Sequence, residues 1–451
     1  MSDPKERAWL DWMNNNSEMA RKYGSLLPQQ QQLLLTVYRE IHNSRTVHSL
    51  AAPPASGKTH VIKLLCKYFK SNSFSVCVVI PNNFLRAEYS DLPDIPVLTI
   101  NQYLGTGTQF DYVLIDEAHN LKSSLELTPS LVKTVFVDSS SDIYAYLESR
   151  LLPIGQNYVA KQLSYVTSRD LLRLFRGHQP LREILRDVLR NSTTWQCFVY
   201  GRLGLFEIKF APADYICRIQ KARRAMLLFS ASPLSGHEIS FYCGIPENEI
   251  GQSRRMMQPT WKSHVMHFSV IDQLDPKGKF RLLSKILGKL ECRTLVLFNN
   301  SFTCQAALKS LPKSYSKRIF HIASTERAKI YADYLARKNG KLLTASSAFW
   351  EGVTIPDLRL LIIPDPPYPR PTLLELREGR KVSLRLDVAR RLVQGIGRIG
   401  RTSTSSGACV TFFSISEFVG SMPEKHVTAL NSSKLVHELQ RALNENLRRA
   451  P

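Results

Sequence analysis

The chain has 451 residues and a mass of 51.3 kDa, 43% apolar and 22% charged, an ordinary water-soluble composition that makes two to four domains at about 100–200 residues each. Lys and Arg outnumber Asp and Glu 60 to 38, and the resulting charge of +22 favours a polyanion partner; an acidic membrane surface is the alternative, but no amphipathic basic helix with a clean apolar face stands out. No apolar run reaches the roughly 18 residues of a membrane span, and none follows the charged residues 1–7, so neither membrane residence nor secretion is expected and an intracellular protein is.

Cys66, Cys77, Cys197, Cys217, Cys243, Cys292, Cys304 and Cys409 form no Cys-x-x-Cys pair. They read as reduced thiols, not as a zinc site or a disulfide framework.

Residues 1–45 read as helical and polar. Gln29 to Gln32 follow Pro28 and precede the periodic apolar residues Leu33, Leu34, Val37 and Ile41, which marks a helix start. Strand-like runs come next at 47–51, 75–80, 97–100 and 112–115, alternating with helical stretches. That alternation predicts a parallel sheet covered on both faces. From about 120 to 222 the texture is Leu/Arg-rich. Leu171, Leu172, Leu174, Leu181, Ile184, Leu185 and Val188 fall at helical spacing, which predicts a mostly helical insertion. Strand patterns return at 225–230, 294–298, 342–344, 360–363 and 408–413. The expected fold class is α/β, with two parallel-sheet domains in tandem. The first covers 1–125 and resumes at 223–245, the helical insertion covers 126–222, and the second covers 246–451. No internal repeat is visible.

Residues 52–59 read Ala-Pro-Pro-Ala-Ser-Gly-Lys-Thr, between a strand and a helix, as a phosphate loop requires. The small residues Ala55, Ser56 and Gly57 let backbone N–H groups close around phosphate oxygens, and the helix N-terminus adds partial positive charge. Lys58 is placed to neutralise the β- and γ-phosphates and Thr59 to offer its hydroxyl to Mg²⁺. Ala52 stands where the general pattern has its first glycine.

At 112–120, Tyr-Val-Leu-Ile-Asp-Glu-Ala-His-Asn, four apolar residues run directly into two carboxylates. A buried strand delivers Asp116 and Glu117 to the edge where doubly wound sheets bind ligands. Asp116 is the expected Mg²⁺ partner, through water, and Glu117 the residue that positions the attacking water. Alone, such acids are a solvated strand end. After a phosphate loop they complete a nucleotide-hydrolysing site.

Ser230-Ala231-Ser232 closes another apolar strand, where hydroxyls serve either as a relay or as a plain turn. Residues 344–356 read Thr-Ala-Ser-Ser-Ala-Phe-Trp-Glu-Gly-Val-Thr-Ile-Pro, and 394–401 read Gln-Gly-Ile-Gly-Arg-Ile-Gly-Arg. Arg398 and Arg401, three apart, share a helical face. From a second domain such guanidinium groups reach γ-phosphate oxygens and stabilise transition-state charge; the alternative is a solvated basic helix.

In this order the motifs resemble the series of superfamily 2 helicases, and most closely the XPD/DinG group. The resemblance rests on Asp116-Glu117-Ala118-His119-Asn120, Phe349-Trp350-Glu351-Gly352-Val353 and the segment Ile363-Pro364-Asp365-Pro366-Pro367-Tyr368-Pro369. The insertion ahead of Ser230 stands where that group carries its Arch domain. The resemblance implies two RecA-like lobes closing on ATP and Mg²⁺. Lys58, Thr59, Asp116 and Glu117 come from lobe one, with Gly352, Gln394, Arg398 and Arg401 from lobe two. His119, Ser230, Ser232, Trp350 and Glu351 are implied to couple the nucleotide to nucleic acid. Phe349 and Trp350 either stack on bases or pack between the lobes. Gln30 is implied to read adenine, although the glutamine run offers other registers.

Two departures stand out. Only Cys66 and Cys77 lie between phosphate loop and acidic motif, so the group's iron–sulfur cluster is not expected. Thr354 stands where the group usually has Asp.

The implied activity is an ATP-dependent helicase or translocase, on DNA with 5′–3′ polarity. Gln394 to Arg401 also resemble flaviviral DEAH-type RNA helicases, which implies RNA and 3′–5′ travel as the alternative. A nucleic-acid-binding ATPase switch without unwinding is the other. Lys309, Lys313, Lys317, Arg318, Arg327, Lys329, Arg337, Lys338 and Lys341, with Arg173, Arg176, Arg182, Arg186 and Arg190 of the insertion, are the cations available to track phosphates.

Overall fold

A computed structural model of the chain describes residues 3–43, 45–54, 56–81, 83–106, 108–121, 125–127, 161–167, 194–202, 205–212, 222–231, 234–243, 245–252, 265–315, 317–322, 327–345, 347–350, 353, 355–368, 384–399, 406–415, 418 and 427–449. Three helices, Pro4–Asn15, Glu18–Tyr23 and Pro28–Ile41, open the chain. β1 (Val47–Ala51) leads into the helix Lys58–Ser71, then come β2 (Val76–Ile80), the 3₁₀ turn Asn83–Tyr89, β3 (Val97–Thr99), the helix Ile100–Gly105 and β4 (Tyr112–Asp116). After β5 (Leu125–Leu127), β6 (Lys161–Thr167), β7 (Thr194–Arg202) and β8 (Leu205–Pro212), β9 (Ala225–Ser230) returns to the first sheet, followed by the helix Gly236–Cys243 and β10 (Ile250–Gln252).

The first sheet is parallel throughout, in the order β10-β1-β9-β4-β2-β3. Strand burial alternates between its faces. Val76, Val78 and Ile80 join the cluster under the helix Lys58–Ser71, with Val61, Leu65 and Phe69. Cys77 and Val79 face the opposite cluster with Val113, Ile115 and Ile239. Strands covered on both faces read as continuous apolar runs, and each buried Val, Leu or Ile contributes about 1.5–3 kcal/mol. Cys66 and Cys77 are buried thiols of these cores, and burial pushes Cys77 up to about 12.

The topology positions the site. β9 lies between β1 and β4, with Ala51 opposite Ser230 and Asp116 opposite Phe229. Phosphate loop, Ser230 and acidic motif therefore leave the same edge side by side.

The second sheet contains β11 (Val265–Val270), β12 (Thr294–Leu297), β13 (Ile319–His321), β14 (Lys341–Thr344), β15 (Leu360–Ile363), β16 (Gly407–Thr411) and β17 (Thr428–Leu430). Its order is β13-β14-β12-β15-β16-β11-β17, again all parallel. One face packs on the helix Leu384–Ile396 through Val388, Leu392 and Ile396. The other packs on Pro276–Lys289 and Ser432–Arg449 through Leu283, Ile286, Leu435 and Leu439. Two parallel-sheet domains in tandem are what the sequence predicts.

Two expectations need correction among the described residues. The insertion 126–222 was expected to be mostly helical, but what is described there is an antiparallel sheet in the order β5-β8-β7-β6. Its strands carry β-branched and aromatic residues, as in Thr194-Trp-Gln-Cys-Phe-Val-Tyr. The Leu/Arg-rich run 171–190 that suggested helix lies outside the described residues. The boundary at 245 also shifts, because β10 pairs with β1, Val47 opposite Ile250, so the first sheet extends to Gln252. Such a short edge strand carries too few residues to announce itself.

Candidate nucleotide site between the lobes

Gly57 ends the phosphate loop with φ 78° and ψ 25°, the left-handed region, and caps the helix Lys58–Ser71. A glycine is needed twice over. A Cβ there would also come within 2.2 Å of Gln30 Nε2. Gln30 is fully buried, and its Oε1 accepts from Leu27 N at 3.0 Å. The structure thus brings Gln30 to the phosphate loop itself. Gln31 Nε2 donates to Leu26 O at 2.7 Å, while the buried Gln29 Nε2 has no hydrogen-bond partner among the described residues. Ser56 Oγ is likewise buried and unpartnered there.

Lys58 Nζ lies 3.1 Å from Asp116 Oδ1 and pairs closely with Glu117 Oε1. Burial works against the charge on Lys58, but the two carboxylates outweigh it and hold its pKa above the ordinary value. Burial likewise works to raise Glu117, yet Lys58, then His119 and Arg398, hold it below the usual carboxylate range. Glu117 itself takes φ 50° and ψ 50° at the end of β4. A side chain in this region costs of order 1–3 kcal/mol and persists where the surroundings over-determine it; here the bend carries Glu117 onto Lys58.

Asp116 is 2% exposed. Its Oδ1 accepts from Glu117 N at 2.9 Å and its Oδ2 from the Tyr89 hydroxyl at 2.7 Å. Burial, then the charge of Asp116, pushes the Tyr89 phenol well above its usual value, which keeps it a donor. Thr59 Oγ1 points to Glu88 Oε2 at 3.5 Å.

The lobes meet at this edge. Gln394 Nε2, from the helix Leu384–Ile396, lies 2.9 Å from His119 Nε2, and His119 Nδ1 lies 2.8 Å from Ser230 Oγ. An amide nitrogen only donates, so His119 Nε2 accepts and its Nδ1–H is given to Ser230. Gly397 packs on the phosphate loop, where a Cβ would come within 2.3 Å of Pro54 Cβ. Arg390 and Glu238 approach to 3.7 Å across the same boundary.

Arg398 is 4% exposed. Its Nη2 donates to Trp350 O at 2.7 Å and its Nη1 to Val353 O at 2.9 Å. Arg398 lies in the turn that follows the helix Leu384–Ile396, not on the helical face expected of it; its guanidinium ties that turn to the segment after β14, while its charge still reaches Glu117. Trp350 is 3% exposed, with Nε1 donating to Phe298 O at 3.3 Å. It packs inside lobe two and offers no face to a base.

Of the residues expected at the site, the structure gathers Gln30, Ser56, Gly57, Lys58, Thr59, Asp116, Glu117, His119, Ser230 and Gln394. Ala55, Ser232, Glu351, Gly352 and Arg401 lie outside the described residues. Sequence reasoning missed Tyr89, Glu88 and the Pro54–Gly397 contact. The one available signal for the first two was topological. β2 neighbours β4, so the turn after β2 lies over the end of β4.

The donor set suits a magnesium nucleotide: a hydroxyl and a carboxylate for a hard cation, a lysine held by two acids, and an orphaned hydroxyl in a left-handed loop at a helix N-terminus. Residues 283–412 match the family model for a helicase C-terminal domain. No curated protein matches the chain. Among solved structures, S. tokodaii Xpd4 superposes with a TM-score of 0.55 at 14% identity, over 90% of this chain and 100% of that one. An apo XPD structure gives 0.53 at 16%, over 91% and 97%. S. cerevisiae Dbp5 bound to RNA and ADP BeF3 gives 0.55 at 13%, over 96% and 97%. Residues 283–412 thus match a helicase C-terminal domain, and the chain as a whole shares the fold of the XPD and Dbp5 structures.

Proposed function

We propose that the chain is an ATP-dependent nucleic-acid helicase or translocase, acting on DNA with 5′–3′ polarity. One observation carries this reading: His119, beside the acidic pair of lobe one, is hydrogen-bonded to Gln394 of lobe two. A nucleotide seated on Lys58 is therefore sensed by both lobes. Thr59 and Asp116 would hold Mg²⁺, which would supply positive charge to offset that of the phosphates. Lys58 exchanges its carboxylate partners for the phosphates. Glu117, released from Lys58, turns to the attacking water and takes up its proton. His119 passes the change to Ser230 on one side and Gln394 on the other. Arg398 and Arg401 supply positive charge from lobe two, Arg398 from the turn it clamps. Closure and release of the lobes then bias a two-state grip on the strand.

The strand's path has support at the C-terminal edge of the second sheet. Phe302, 80% exposed, follows β12, and Tyr368, 42% exposed, follows the adjacent β15. Asn299 Nδ2 donates to Tyr368 O at 3.1 Å, joining the two loops. Flat apolar rings beside a polar edge suit base stacking, and the charge of +22 suits phosphate.

RNA is the second reading, favoured by the fold likeness to Dbp5, whose structure contains RNA. ATPase stimulation by single-stranded DNA and RNA across a salt series tests the proposal, with tailed duplexes for polarity. Stimulation by DNA that falls steeply with salt and unwinding of 5′-tailed duplexes are expected. Stimulation by RNA alone moves the assignment to the RNA reading, stimulation without unwinding to a switch, and no ATP turnover with either polymer overturns it.

A further inference from the structure

We infer that Tyr89 and Glu88, consecutive residues of one 3₁₀ turn, are positioning residues for the magnesium ligands Asp116 and Thr59; the inference rests on the ATPase reading. The Tyr89 hydroxyl donates to Asp116 Oδ2 at 2.7 Å from a ring that is 1% exposed. The other oxygen, Oδ1, accepts from Glu117 N at 2.9 Å and faces Lys58 Nζ at 3.1 Å. The carboxylate is thus pinned at both ends. Its rotation is stopped with Oδ2 turned into the core and Oδ1 presented to the phosphate loop. A carboxylate free to rotate would present either oxygen, and part of its affinity for a cation would go into ordering it.

Glu88 acts on the second ligand. Thr59 Oγ1 is 3.5 Å from Glu88 Oε2. A threonine hydroxyl binds a cation through an oxygen lone pair, so its hydrogen must point elsewhere. An acceptor on the far side takes that hydrogen and leaves the lone pair toward the metal, as outer-shell partners do for other ligands. The turn is itself fastened to the phosphate-loop helix. Lys63 Nζ pairs with Asp91 Oδ1 at 2.7 Å and lies 5.9 Å from the centre of the Tyr89 ring. These contacts hold the turn beside the helix that carries Thr59.

Mn²⁺ serves as a spectroscopic stand-in for Mg²⁺. Its binding to the full chain is titrated by electron paramagnetic resonance, with a non-hydrolysable ATP analogue present. Analogue binding is measured separately in EDTA, and the thermal midpoint of each variant is recorded. Tyr89→Phe keeps the ring and removes the hydroxyl; its Mn²⁺ affinity is expected to fall about 10-fold, the lower end for outer-shell partners, with analogue binding in EDTA unchanged. Glu88→Gln, on a half-buried side chain that does not threaten folding, is expected to shift Mn²⁺ affinity in the same direction. Equal weakening of analogue binding with and without metal in Tyr89→Phe makes Tyr89 a packing residue and overturns the inference. Unchanged Mn²⁺ affinity in both variants also overturns it and leaves the ATPase reading standing. A wild-type chain that binds no Mn²⁺–nucleotide overturns both.

Discussion

Lys58 is one ammonium shared between two carboxylates, and that sharing has a measurable sign. The Glu117 pKa is depressed in the fold. Its share of stability is therefore present above the unfolded value of about 4.3 and lost as pH falls through the lower folded value. The Lys58 pKa is raised. Its share is present below the unfolded value of about 10.4 and lost as pH rises through the folded one. Lys58→Ala leaves two buried acids facing each other, which costs about 3–5 kcal/mol at neutral pH. In that variant mild acid should raise the thermal midpoint, because protonating a carboxylate relieves the repulsion; the wild type should gain nothing from the same change, its Glu117 share staying intact until pH falls below about 4.3. Calorimetry between pH 4 and 8 checks this, and parallel curves for both proteins would contradict it. The variant is also expected to lose ATP turnover while still binding nucleic acid at low salt. Arg398 gives a second residue-scale test. Arg398→Ala should lose hydrolysis more than ATP binding, because the charge it brings beside Glu117 counts most in the transition state. A fall in ATP affinity with turnover per bound ATP preserved would reduce Arg398 to a clamp on Trp350 and Val353.

At the scale of elements, the turns that end β1, β4 and β9 do the positioning, and they differ in how legible they are. β2, β9 and β15 coincide with apolar runs visible in the sequence, because a strand covered on both faces reads as a nearly continuous apolar stretch. β11 does not, although it is buried: His267 at 6% and Ser269 at 3% exposure interrupt its run, and Ser269 Oγ finds its partners in a distant loop, donating to Phe413 O at 2.8 Å and accepting from Ile415 N at 3.3 Å. β13 and β17 have three residues each, too few for a pattern. That Lys58, Asp116, Glu117 and Gln394 come together was legible as an expectation, because phosphate and metal chemistry would restrict residue type at fixed spacing. Tyr89 was not, because its role depends on β2 lying beside β4, and adjacency of strands is not written locally. The helix Leu384–Ile396 supplies the element-scale prediction. Its C-terminal Gly397 sits on Pro54, so Gly397→Val should hold the lobes apart. Turnover should fall at least 10-fold, with analogue binding to lobe one reduced much less. Unaltered turnover in a folded variant would show that the contact plays no part in closure.

Across the whole molecule, two parallel sheets meet where Gln394 touches His119, and the chain carries a net charge of +22. Nucleic-acid affinity should therefore fall linearly on a log–log salt plot, with a slope set by the number of phosphates neutralised. A slope near zero would assign the charge to something other than strand binding. Coupling between the lobes is the feature a motor cannot lack, and it passes through few groups here. Gln394 touches His119, which touches Ser230, and the three join the phosphate loop's neighbour strand to the helix of the other lobe. Removing either end of a shared interaction should cost nearly as much as removing both. The decisive measurement is a double-mutant cycle of His119→Ala and Gln394→Ala on strand-stimulated ATP turnover. The two-lobe motor predicts an interaction energy of about 0.5–3 kcal/mol between them; strictly additive losses would contradict it.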